Sequence, residues 1–137
     1  MTDRLVTAGG VLIDSDVLIW VARGNQRAVA ALQELADSYV SAVSYMELVQ
    51  GCRNKNELKL MQKAFKSNDH DLLPVTDNIS DLACKLVEQY ALSHSVFLAD
   101  ALIAATAMSH NLTLLSGNDK HFAAIKDLKL QVFRPEN

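Results

Sequence analysis

Residues 11–20 read VLIDSDVLIW, a hydrophobic run broken at its centre by Asp14, Ser15 and Asp16. Val11, Leu12 and Ile13 are continuously apolar, the pattern of a strand buried on both faces of a sheet that helices cover from either side. Two carboxylates directly after such a strand stand where the interior begins. A buried anion costs several kcal/mol unless it is paired or bound to a metal. The chain must therefore either leave this turn in water or use it.

Working outward, residues 25–37 carry Ala28, Val29, Ala31, Leu32, Leu35 and Ala36 at helical spacing. Residues 39–43 are β-branched and aromatic and predict a second strand, and residues 44–51 a short helix stopped by Gly51. A helix over 54–67, a strand over 71–75, helices over 78–93 and 98–110, a strand over 113–116 and a short edge strand over 131–133 complete the pattern. Strands alternating with helices through short connections predict an α/β layer structure around a mostly parallel sheet. In such sheets ligands bind beyond the carboxyl ends of the strands, where the strand order reverses.

The totals limit the function classes. The chain has 137 residues, half of them apolar, which fits one domain spanning 1–137 with residues 1–10 as a loose leader. No signal-peptide pattern and no run of apolar residues of membrane-spanning length is present, so the expected location is cytoplasmic, with no membrane partner. Cys52 and Cys84 lack metal-type spacing and read as free thiols. A net charge of −3 excludes a generally cationic nucleic-acid coat, so any such contact is local.

Asp14 and Asp16 follow the first strand, Ser44 and Glu47 the second, Ser116, Asn118 and Asp119 the fourth, and Asp100 opens a helix. Each has a plain structural reading as well. Asp14 to Asp16 suits a helix cap, and Ser44 with Glu47 has the spacing of a capping box. Asp100 lies in LADALIAATAM, where only it and Thr106 are polar, and a core helix has no structural need of an acid there. If Asp14, Glu47 and Asp100 met within ~4 Å, each like-charged pair would repel by about 4 kcal/mol at an effective dielectric near 20. A proton or a hard divalent cation relieves that, and Mg²⁺ suits an all-oxygen site. The chemistry such an ion supports is phosphodiester hydrolysis by an activated water, without a covalent enzyme intermediate.

The strand ending IDSDVLIW, the segment SYMELVQG, the helix opening LADALIAATA and the late LLSGNDKHF, in this order, resemble the PIN domain family, and most closely its VapC-type toxins. The resemblance spans about residues 11–133. It implies a three-layer α/β/α sandwich with a five-stranded parallel sheet, Mg²⁺- or Mn²⁺-dependent ribonuclease activity, a small antitoxin partner that blocks the site, and a homodimer. By position it makes Asp14, Glu47 and Asp100 the metal-binding acids. Ser44 and Ser116 become hydroxyls that orient them, Asp16 an added acid or a cap, and Asn118 or Asp119 the residue that completes the catalytic set.

Other side chains point less sharply. Arg53, Lys55, Lys59, Lys63 and Lys66 against the single acid Glu57 suit a solvated helix face or a phosphate contact, and Arg23 and Arg27 lie nearer the acidic turn, where they suit an RNA backbone. Trp20 reads as core rather than as a base-stacking platform. Two alternatives stand beside the nuclease: a haloacid-dehalogenase-like phosphatase with Asp14 as nucleophile, and a PIN-fold module that docks a partner without catalysis.

Overall fold

The computed structural model describes residues 9–67 and 70–135. Five strands, β1 (Val11–Ile13), β2 (Ser38–Ser41), β3 (Asp71–Leu73), β4 (Thr113–Ser116) and β5 (Leu130–Val132), form one sheet in the order β3-β2-β1-β4-β5. Every pairing is parallel. Seven helices connect them: α1 (Ser15–Ala22), α2 (Gln26–Gln33), α3 (Ala42–Gln50), α4 (Lys55–Ser67), α5 (Asp77–His94), α6 (Leu98–Ser109) and α7 (Asp119–Phe122). Among the described residues no helix is long and apolar enough to cross a membrane. Most of the leader expected over 1–10 lies outside the described residues. Gly10, its last member, is packed: a Cβ there would sit 2.6 Å from the Tyr39 ring.

The period-two alternation of strand side chains divides the core into two layers. Leu12 and Leu114 face α5, α6 and α7, packing with Ile79, Leu86, Ile103 and Phe122. Val11, Ile13, Val40 and Leu115 face the other way, against Val17 and Leu18 of α1, Ala28 and Ala31 of α2, and Phe133. The expected three-layer arrangement follows from this split. Strand order reverses between β1 and β4, so the crevice opens beyond Ile13 and Ser116.

Several boundaries differ from expectation. The second strand stops at Ser41, and Ala42 and Val43, read as strand from their side chains, begin α3. The cause is Ser41, whose Oγ accepts from Ser44 N at 3.0 Å and caps the helix, displacing the capping box expected from Ser44 and Glu47. Helix α1 starts directly after Asp14, whose carboxylate accepts from Ser15 N and serves as its cap. Helix α2 ends at Gln33, short of the expected 37, and the one-turn α7 has too little periodicity to be seen in sequence.

Ser41 and Ser44 are fully buried, and beside the capping bond Ser41 Oγ donates to Ser44 Oγ at 3.3 Å. Ser41→Ala therefore removes a helix cap and leaves a buried hydroxyl short of a partner. It is expected to cost about 1–2 kcal/mol, which lowers the thermal midpoint by about 3–8 °C. Urea and thermal denaturation of the variant check this.

Candidate functional site

The site is built where β1 and β4 end side by side. Asp14 N donates to Leu115 O at 2.9 Å, stitching the acidic turn onto β4. Asp14, only 6% exposed, accepts from Ser116 Oγ at 2.7 Å and from Ser15 N at 2.8 Å. Burial pushes its carboxyl pKa up, and these hydrogen bonds and the nearby Asp100 only partly redress or add to that shift. Two residues on, in the first turn of α1, Asp16 accepts from Gly117 N at 3.0 Å through Oδ2, while its Oδ1 is buried with no partner among the described residues. Burial, then the charge of Asp14, raise the Asp16 pKa to about 6.

Two further acids arrive from the helical layers. Glu47, on the second turn of α3, accepts from Ser15 Oγ at 3.1 Å, and burial followed by the charges of Asp14 and Asp100 raises its pKa. Asp100, in the first turn of α6, lies 2.9 Å from His121 Nδ1 through Oδ2, and Asn118 Nδ2 lies 3.3 Å from the same ring nitrogen. The charge of Asp100 thus acts on Asp14 and Glu47, and that of Asp14 on Glu47 and Asp16, the four being brought from the turn after β1 and from α1, α3 and α6. Among the described residues no lysine or arginine is paired with any of the four.

The expected residues fall into two groups. Ser116 holds Asp14, and Asn118 reaches the site through His121. Ser44 does not reach an acid: it is fully buried, bonded to Ser41. The hydroxyl that orients Glu47 is instead Ser15, which sequence reasoning passed over because it sits between two more conspicuous acids. Asp119 stands at the rim, its Oδ1 bonded to Arg134 Nη2 at 2.7 Å. Arg53 forks onto Glu57 at 2.8 and 3.1 Å, Lys55 is exposed at the start of α4, and Arg23 lines a groove between α1, α3 and α4. Arg27 lies over the Phe133 ring, 5.9 Å from its centroid. Trp20 is half-buried against Phe133, with ring centroids 6.3 Å apart.

Four mutually repelling carboxylates and an orphaned buried oxygen make an all-oxygen donor set suited to a hard divalent ion. The close convergence expected of Asp14, Glu47 and Asp100 is not reached: among the described residues no three Asp, Glu, His or Cys groups are gathered tightly enough to clasp one ion. Each acid is held back by its own partner, Ser116, Ser15 or His121. One or two carboxylates suffice for Mg²⁺, which keeps several waters, so the residues fit that ion better than a caged one.

The chain matches the PIN domain family over residues 11–128. It is 34% identical over 128 residues to Ribonuclease VapC10 of Mycobacterium tuberculosis, covering 87% of this chain and 90% of that protein. Ribonuclease VapC19 of the same species is 32% identical over 123 residues, covering 86% and 96%. Among solved structures, FitAcB from Neisseria gonorrhoeae superposes with a TM-score of 0.69 at 28% identity, covering 91% of this chain and 97% of that one. VapBC2 from Rickettsia felis, bound to a DNA fragment from its promoter, gives 0.78 at 18% identity over 92% and 100%, a likeness of fold alone. The family match leaves the dehalogenase-like alternative without support.

The raised pKa values carry a stability signature. A carboxyl whose folded pKa lies above its unfolded value is more easily protonated in the native state, so stability rises as pH falls through the folded value. For Asp16 the penalty is full above about pH 6 and is relieved progressively toward its ordinary 3.8. In chelator, Asp16→Asn, which keeps an oxygen for Gly117 N, is expected to stabilise the fold at pH 7.5 by about 1–2 kcal/mol after allowance for solvent screening. The gain should shrink to nothing by pH 4, as read by urea denaturation across that range.

Proposed function

The chain belongs to the PIN domain family, and on that premise we propose that it is a Mg²⁺- or Mn²⁺-dependent endoribonuclease, the toxin of a toxin–antitoxin pair. The observation that carries the reading is the uncompensated pocket of Asp14, Asp16, Glu47 and Asp100 at the switch point of the sheet. An RNA phosphate would be repelled by these acids, so the pocket accepts its substrate only with a cation between them. The names of the relatives, both ribonucleases, support RNA as the substrate.

In this reading one or two of Asp14, Glu47 and Asp100 would hold the ion directly, since among the described residues the three are not gathered tightly enough to clasp it together. Bound there, it supplies charge neutralisation at a phosphoryl oxygen and a more acidic water. Ser116 and Ser15 donate to Asp14 and Glu47 and fix their oxygens, while His121, donating from Nδ1, orients Asp100. Asp16 adds negative charge and braces Gly117, and Asp119 braces Arg134 at the rim. In this reading the nucleophile is water, and hydrolysis would go without a covalent intermediate.

The antitoxin reading is supported by neighbours that are themselves toxin–antitoxin complexes. It is also supported by a groove of about 870 Å³ beside Glu47, lined by Leu18, Ile19, Leu48, Leu60, Met61 and Phe65, of a kind that accepts an amphipathic helix. The same reading makes the protein cytoplasmic, where its RNA substrate is, and homodimeric.

On single-stranded RNA with Mn²⁺, cleavage by the wild-type chain is expected to vanish on chelation. Asp14→Asn and Asp100→Asn should each lower it by about 100-fold or more, beyond the loss typical of an outer-shell partner. Both variants should keep the wild-type circular dichroism spectrum, because relieving repulsion does not unfold the site. RNA left intact by the wild-type protein with Mn²⁺ would favour the non-catalytic docking module. Leu60→Asp, at a 60% exposed position, should release a co-expressed partner during gel filtration.

A further inference from the structure

Resting on the ribonuclease reading, we infer that the cavity between Trp20, Asn118 and Arg134 is a subsite for a base of the RNA strand beside the bond that is cut. The cavity has a volume of about 400 Å³ and is lined by Asp16, Trp20, Gly117, Asn118, Arg134 and Pro135, a size common to small-ligand sites. Asp16 is shared with the acid cluster, so the cavity begins where the proposed ion site ends.

Its chemistry selects a base over a phosphate. A second anion placed next to Asp16 would meet the same negative field that the ion must neutralise. The neutral, π-faced part of a nucleotide escapes that repulsion. Trp20, half-buried, puts part of its indole on the cavity wall, and base–aromatic stacking is the usual anchor for single-stranded RNA. Among the described residues Arg134 is the only cation lining the cavity. Its side chain is 51% exposed and its Nη2 is anchored by Asp119, which presets the guanidinium while leaving other donors for a ligand. Asn118, whose Nδ2 lies 3.3 Å from His121 Nδ1, leaves its amide oxygen to accept from a base edge.

The cavity is constructed rather than incidental. A Cβ at Gly117 would fall 2.4 Å from Trp20 Cη2 and 3.0 Å from both Asp16 Oδ2 and Phe133 O, so only glycine lets the indole seat where it does. Phe133 backs the ring from the core side, and Phe133 N is tied to Ser116 O at 2.9 Å. The same β4 end that fixes Asp14 therefore fixes the indole, setting a constant offset between ion and base.

Trp20 is the single tryptophan of the chain, so its emission reports on this cavity alone. The full chain carrying Asp100→Asn, to prevent turnover, is titrated with a ten-nucleotide single-stranded RNA and, separately, with a strand of the same length carrying abasic sugars throughout. Binding is followed by anisotropy of an end label and by Trp20 emission. The expected result is saturable quenching by the RNA with the midpoint seen in anisotropy, no quenching by the abasic strand, and an affinity for that strand lower by roughly ten-fold or more. Arg134→Gln, at an exposed position, should weaken RNA binding several-fold and, in the cleaving protein, raise KM while leaving kcat within about two-fold. RNA that binds without changing the emission, with the abasic strand bound equally well, overturns the base subsite and leaves the ribonuclease reading standing. Absence of any binding together with absence of cleavage by the wild-type chain overturns both.

Discussion

The hydrogen bond from Ser116 Oγ to Asp14 Oδ2 ties together the ends of β1 and β4, residues 102 positions apart in the chain. It supports a carboxylate that burial disfavours, at the one place where the sheet changes direction. A cation would be the inexpensive partner for such a group, yet among the described residues its partners are a hydroxyl and a backbone amide. Those donors stabilise the anion without cancelling its charge. The fold thus holds a negative charge in place and leaves its neutralisation to something that arrives from outside.

Parallel topology makes the rest of the pocket follow. All five strands point the same way, so every connection out of the sheet's carboxyl edge begins near Asp14. Helix α3 leaves β2 there and presents Glu47 on its second turn, and α6 packs against the sheet with Asp100 at its first turn. The buried small residues of α6, Ala101, Ala104, Ala105 and Ala107, allow that close approach. Ser15 then couples the two ends of the system. It opens α1 beside Asp14 and its hydroxyl reaches across to Glu47 at 3.1 Å, so a shift in the β1 turn is felt by α3.

Much of this was legible in the residues. The unbroken Val11–Ile13 run marks a doubly covered central strand, and the acid left at Asp100 in a largely apolar helix marks a side chain that reaches the crevice. Hydrophobic pattern is strong there because burial is complete. It failed where hydrogen bonding, not burial, decides. Ser41 and Ser44 are equivalent in composition, and only the geometry of the β2 exit makes the first one the cap. The roles of Ser15, His121 and Gly117 depend on partners 32, 21 and 101 positions away, which no local pattern contains. Trp20 shows the same limit: an indole in an apolar run is core by pattern, and it is core on the face toward Phe133, while Arg134, far along the chain, is what turns its other surroundings into a cavity.

The placement of the positive charges bears on how an acidic protein receives a polyanion. Arg53 is neutralised by Glu57 within its own turn, and the lysines of α4 stand in water at exposed positions. Neither supplies a cation to the crevice. Arg134 is anchored by Asp119 at the crevice rim, so its charge is partly offset and its value lies in a planar, preset guanidinium more than in net attraction. In the proposed reading, strand capture would rest on short-range contacts: a cation shared between acids and phosphate, and a ring against a base. Short-range contacts of that kind are sensitive to geometry, and in this chain both are set by the same two residues, Ser116 and Gly117. Ser116 fixes the carboxylate by its hydroxyl, and Gly117 admits the indole by having no side chain. A change in the backbone at this one junction would displace the Asp14 carboxylate and the Trp20 indole together.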